Sequence, residues 1–174
     1  MDAAQGGLSA DDSWKNDIFG AGKLTKLGTG TLRMTGRNGY TGGTELQAGT
    51  LVAASTSALG TGDVYVSGGT LRSDPDGFLA VPGAFTLRGG GTLEVAIRAA
   101  GQGTVVVDGT AVLDGGTLHV TFPGAYRPAA GEKIWVLVAG GLNGRFSAVT
   151  ADGFARVNPV YRSDGVQLEL ASGT

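Results

Sequence analysis

The chain has no cysteine, one histidine, 5 prolines and only 7% aromatic residues over its 174 positions. Without cysteine there is no disulfide framework, no thiolate metal site and no cysteine nucleophile. Triad chemistry needs a histidine base beside a nucleophile. The single candidate, His119, lies between inward-reading Leu118 and Val120 and so reads as a solvated wall residue. No Gly-x-Ser-x-Gly elbow occurs. Positive charge is also scarce, with 13 Lys and Arg against 15 Asp and Glu, a net charge of −2 and no basic stripe. That argues against a nucleic-acid partner, which is held by clustered cations facing phosphate. No apolar run reaches the length of a membrane-spanning helix. The start, Met1-Asp2-Ala3-Ala4-Gln5-Gly6-Gly7, has neither the basic nor the apolar part of a secretory leader. The expectation is a cytosolic chain or a piece of something larger.

Glycine, by contrast, is abundant at 33 residues, well above the usual ~7%. It has no three-residue period, which excludes collagen. The triplet Gly-Thr-Leu recurs at Gly30-Thr31-Leu32, Gly49-Thr50-Leu51, Gly69-Thr70-Leu71, Gly91-Thr92-Leu93 and Gly116-Thr117-Leu118, in steps of 19, 20, 22 and 25 residues. A near-fixed period of this size marks a solenoid, in which stacked units share one core.

The unit is built of strands. Leu32 and Met34 alternate with Thr31 and Arg33, and the same period of two runs through Leu51 and Ala53, Val64 and Val66, Phe85 and Leu87, and Leu93, Val95 and Ile97. It continues through Val105 and Val107, Ala111 and Leu113, and Leu118, Val120 and Phe122. Period two over short runs means half-buried strands. No amphipathic helix is evident, and Asp11 to Phe19 could form one helical turn at most. The fold class is therefore all-β, a parallel β-helix of three-faced coils of about 20 to 25 residues. Six or seven coils at roughly 4.8 Å each would make a rod roughly 30 Å long. In each triplet glycine supplies the corner dihedrals, Thr the outer face and Leu the interior stack. Asn38-Gly39 reads as a turn pair, and Tyr40 as packing over the coil edge.

These residues carry a family likeness. Leu24, Lys26, Gly28, Gly30-Thr31-Leu32, Gly36, Asn38, Tyr40-Thr41-Gly42-Gly43-Thr44 and Gly49-Thr50-Leu51 resemble the passenger-associated transport repeat of bacterial autotransporters, the type V secretion proteins. The run from Tyr126 to Leu137, Gly144-Arg145-Phe146, and Asp164-Gly165 through Leu170 resemble the segment that ends many passengers ahead of the membrane barrel. The resemblance implies a right-handed β-helix end that emerges first at the cell surface, or is secreted, and helps the rest fold, an autochaperone role. The implied partners are upstream passenger coils and a C-terminal outer-membrane β-barrel of the same polypeptide. It implies no cofactor.

After Phe122-Pro123 the pattern changes. Ile134, Val136 and Val138 are apolar on one face, and Trp135 and Leu137 on the other, which reads as a strand buried on both sides. Phe154 to Tyr161 and Val166 to Leu170 read as a hairpin turning at Asp164-Gly165. Pro159 should sit at an edge or bulge. Residues 1–122 are thus expected to form the coils, with the transport repeat at about 24–51. Residues 123–174 form the C-terminal cap, with a buried Trp135 as its anchor.

Chemistry is sparse. Asp74-Pro75-Asp76-Gly77, Asp108-Gly109 and Asp114-Gly115 read as turns, Asn143-Gly144-Arg145 likewise, and Glu94 stands alone on the wall with no cationic cluster near these acids. Gly60-Thr61-Gly62-Asp63 is one poor copy of a calcium-binding nonapeptide and reads as a corner. The expected function is a non-catalytic stalk and folding aid. The alternatives are an adhesin region binding a host protein or glycan, and the stalk of a passenger whose upstream domain is a protease or other enzyme.

Overall fold

In a computed structural model, residues 11–171 are described. The reading of Met1 to Gly7 lies outside them. Among the described residues there is no helix. Two sheets face each other. The first holds seven strands in the order β1 (Asp11–Trp14), β3 (Thr31–Met34), β5 (Thr50–Ala53), β7 (Gly69–Ser73), β10 (Gly91–Ala96), β12 (Thr117–Thr121) and β14 (Ala148–Ala151). The second runs β2 (Leu24–Lys26), β4 (Thr44–Leu46), β6 (Val64–Val66), β9 (Phe85–Arg88), β11 (Val105–Asp114) and β13 (Lys133–Arg145), then β16 (Gly165–Ala171) and β15 (Arg156–Arg162). A short strand, β8 (Leu79–Val81), pairs with the first part of β11. Apart from the last two, every pairing is parallel, and the chain crosses from sheet to sheet once per half coil. This is a β-solenoid.

The repeat triplet is a register mark. Thr31, Thr50, Thr70, Thr92 and Thr117 are in register on the outer face, and Leu32, Leu51, Leu71, Leu93 and Leu118 form the inward column beside them. These leucines are at most 4% exposed, so each rung buries its leucine against the next. At about 25 cal/mol per Å² of apolar surface, that stacking drives the assembly. Asp11 to Trp14, allowed at most a helical turn by sequence, is a strand instead, because its backbone pairs with β3. The parallel rungs also run on past residue 122, through β13 and β14.

The hairpin β15–β16 closes the second sheet in antiparallel register. Pro159 lies on β15, the edge strand, where its missing N–H costs no ladder bond. The turn is Ser163-Asp164, since Arg162 pairs with Gly165. Neither turn residue has positive φ, so the turn is not the Asp-Gly type that the sequence suggests; Gly165 follows it at φ 146°.

Candidate functional site

The transport-repeat corner is built around a buried lysine. Lys26 stands in register with Leu46, Val66, Leu87 and Leu113, an interior column of apolar residues. Only 1% exposed, its ammonium donates to the carbonyls of Leu27 (2.8 Å), Gly28 (3.0 Å) and Ala48 (3.3 Å). A charge can be buried when carbonyl dipoles replace its water. Gly49 makes this possible. Its φ is +70°, and a Cβ there would meet the carbonyls of Gly28 and Gly30 and lie 2.6 Å from the Lys26 Nζ. Gly69 and Gly116 also take positive φ, while in the first coil the positive φ falls on Gly28, two residues ahead of Gly30. At Gly91 the constraint is space: a Cβ would lie 2.7 Å from a Val66 methyl.

A polar spine crosses the coils next to it. Asn38, read from sequence as half of a turn pair, is 4% exposed. Its Oδ1 accepts from the Ile18 N–H (2.9 Å), and its Nδ2 donates to the Ala58 carbonyl (2.7 Å), so one amide joins three successive coils. Tyr40 is not over the coil edge but inside, at 2% exposure. Its hydroxyl shares a 2.6 Å hydrogen bond with Thr44 Oγ1, which itself donates to the Leu59 carbonyl. Burial pushes the Tyr40 phenol up to about 12, against the Thr44 bond that pulls it down. The chain folds inward here because Gly60 and Gly42 leave the ring and backbone room.

At the other end, Trp135 is half-buried, not fully buried as both-face hydrophobicity implied. A bulge in the β13–β16 register between Trp135 and Leu137 puts Val136 and Leu137 both inside and turns Trp135 outward. The inward anchors are Leu137, Val166, Leu168 and Leu170, each 0% exposed. Gly165 is required, since a Cβ would collide with the Leu137 carbonyl. Asp164 is exposed, but its carbonyl accepts from the Ala139 N–H at 2.9 Å. Phe146 is buried, packs on Tyr161 with ring centroids 6.5 Å apart, and donates its N–H to the Tyr161 hydroxyl. Burial pushes the Tyr161 phenol upward, and Arg145 lies 4.6 Å over its ring. Asn143-Gly144-Arg145 belongs to β13 and is no turn. The Tyr126 hydroxyl donates to Glu132 (2.6 Å), which also accepts from the Ala129 N–H; the first bond holds the phenol up at about 12 and the carboxylate below its usual range.

Residues 24–53 match the family model of the passenger-associated transport repeat. These residues hold both Lys26 and Tyr40. Over 96 residues, 54% of the chain, it is 41% identical to the adhesin BmaC autotransporter of Brucella suis, covering 3% of that protein. It is 31% identical over 91% of its length to an extracellular serine protease of Serratia marcescens, covering 17% of it. It is 31% identical over 79% of its length to the autotransporter lipoprotein NalP of Neisseria meningitidis, covering 14% of it. The chain is a segment of an autotransporter passenger. It spans under a fifth of the length of each of these relatives. Autotransporter passengers are surface-exposed or secreted through the outer membrane, and that is where this segment belongs.

The passenger's outer wall holds the features the sequence concealed. Asp74, expected in a turn, is 7% exposed and faces Arg98 (2.7 Å), Arg33 (3.5 Å) and Arg72 (3.8 Å). Glu94 is not alone: Arg72 donates to it at 2.9 Å. Arg33 and Arg72 are separated in register by Val52 alone, so a spacing of about 20 residues was the signal that could have found the pair. Asp108-Gly109 is a bulge inside β11 and no turn, because the pairing with β13 shifts register there. His119 points outward as expected. Its Nδ1 lies 2.8 Å from Thr150 Oγ1 and its Nε2 3.3 Å from Asp152. The Thr150 contact follows from register, since His119 and Thr150 are paired across β12 and β14.

Proposed function

We propose that this passenger segment is a non-catalytic stalk whose C-terminal cap promotes folding and secretion of the coils before it. One observation carries the reading: β13 is shared between the last parallel rung of the second sheet and the antiparallel hairpin. An antiparallel closure covers an edge that would otherwise recruit further strands. At the opposite end, β1 and β2 terminate the two sheets and would receive the upstream coils of the same polypeptide. Solenoids grow by nearest-neighbour stacking, so a stable capped end can serve as nucleus for each added coil. The outer-membrane β-barrel of the same polypeptide is the other partner in this reading. The serine protease named among the relatives would place catalysis in a part of the passenger outside this segment.

The test is urea unfolding of the Trp14→Phe chain, followed by far-UV circular dichroism and Trp135 fluorescence together. Loss of the Trp135 signal after most of the β signal supports the cap as nucleus. Loss of that signal first overturns it. A second reading, a host-binding adhesin region, draws on the likeness to BmaC, which bears the name adhesin. A binding screen against matrix proteins and glycans separates it from a plain stalk.

A further inference from the structure

We propose that the corner following the first sheet is a binding site for a neutral oligosaccharide. A cleft of about 600 Å³ opens there, lined by Thr35, Arg37, Ser55, Thr56, Ser57 and Asp76, with Ala54 and Gly77 completing it. The solenoid explains the arrangement. β3, β5 and β7 end at Met34, Ala53 and Ser73, and the next N–H of each donates one rung back, to Trp14, Met34 and Ala53. Arg37, Thr56 and Asp76 each stand three residues beyond their strand's end. Three successive rungs thus each contribute a polar side chain to the lining of one cleft.

The cleft wall is held rigid while its side chains are left available. Ser55 Oγ donates to the Gly36 carbonyl (2.7 Å), the Thr56 carbonyl accepts from Ala80 (2.8 Å), and the Ser57 carbonyl accepts from Asn38 (3.2 Å). The side chains of Arg37, Thr56, Ser57 and Asp76 have no hydrogen-bond or ion-pair partner among the described residues. One cation and one anion in the lining cancel, which disfavours a strongly charged ligand. The lining also carries the Thr56 and Ser57 hydroxyls, each both donor and acceptor. A sugar chain carries the matching set: vicinal hydroxyls that donate to the Asp76 carboxylate, and ring or hydroxyl oxygens that accept from Arg37. A peptide would call instead for an apolar pocket or a free strand edge.

Saturation-transfer NMR tests this, using the 174-residue chain with maltotetraose, chitotetraose, lacto-N-tetraose and, as the anionic contrast, a heparin tetrasaccharide. Transfer to at least one neutral sugar is expected, weakened about tenfold or more in both Asp76→Asn and Arg37→Gln. Both positions are exposed, and unchanged circular dichroism and melting show that the variants stay folded. Thr56→Val should weaken binding as well. No transfer to any neutral sugar at millimolar concentration overturns the proposal. So does transfer that both variants leave intact, or binding confined to the heparin fragment. None of these results touches the stalk reading, which does not depend on a ligand.

Discussion

From β3 to β12 each inward leucine of the first sheet sits on the leucine of the next rung, while in the cap no column of like residues exists. Leu137, Val166, Leu168 and Leu170 meet there through a bulge and an antiparallel pairing. The contrast has a consequence. Every rung offers the same surface to the next, so the leucine column by itself cannot say where the stack should stop or in which register it should start. Individual, non-repeating contacts break that sameness: Lys26 in its carbonyl cage, the Asn38 bridge, and the hairpin seated on Gly165.

The sharpest way to break this comparison is a matched pair of cavities. Leu93→Ala in the rungs and Leu168→Ala in the cap should each cost about 2–5 kcal/mol, since both residues are fully buried. If the cap is the nucleus, Leu168→Ala should mainly slow refolding and Leu93→Ala should mainly speed unfolding, as read by stopped-flow chevrons. The reverse partition would place the nucleus in the repeats.

Alkaline unfolding comes next. An unfolded tyrosine ionises near 10, whereas buried Tyr40 stays neutral up to about 12. A raised folded value means that its contribution is intact below pH 10 and is lost as pH rises from 10 to 12. By pH 12 the loss amounts to about 2–3 kcal/mol. Tyr40→Phe should flatten that part of the urea-midpoint profile above pH 10, leaving a weaker slope from the cap phenols Tyr126 and Tyr161. A profile unchanged by the substitution would mean that Tyr40 is not desolvated in solution.

Asp74→Asn should cost about 1–3 kcal/mol. The aspartate is buried, but its arginines are 31 to 45% exposed, so solvent screens the pairs. The difference from wild type should shrink in high salt. A salt-independent loss would point to packing in place of charge. The smallest effect is expected for Trp135→Ala, about 1–2 kcal/mol, because the bulge leaves the indole half-buried where a fully buried tryptophan would cost about 3–5 kcal/mol. A cost at the upper figure would restore Trp135 as the cap's anchor.

The legible part of this protein was whatever repeats. Gly-Thr-Leu spacing and period-two alternation were enough for the all-β solenoid, the inward residues of each rung and the Pro159 edge, because each is a local pattern multiplied by stacking. The transport repeat was legible as a string of residues but not as a mechanism. Lys26 occupies an apolar column position, and Asn38 and Tyr40 stand in a polar, glycine-rich run. Local reading gave Asn38 to a turn and Tyr40 to the coil edge and assigned Lys26 no role, yet all three are buried.

What the sequence by itself determined is the unit: strand, corner, strand, with leucine in and threonine out, since alternation and glycine placement act within a few residues. What only the tertiary structure decided is which residues meet across coils. Arg33 and Arg98 reach Asp74 from rungs on either side, and a bulge turns Trp135 outward. Those contacts join residues some 20 to 40 positions apart, and register between rungs, not local propensity, brings them together.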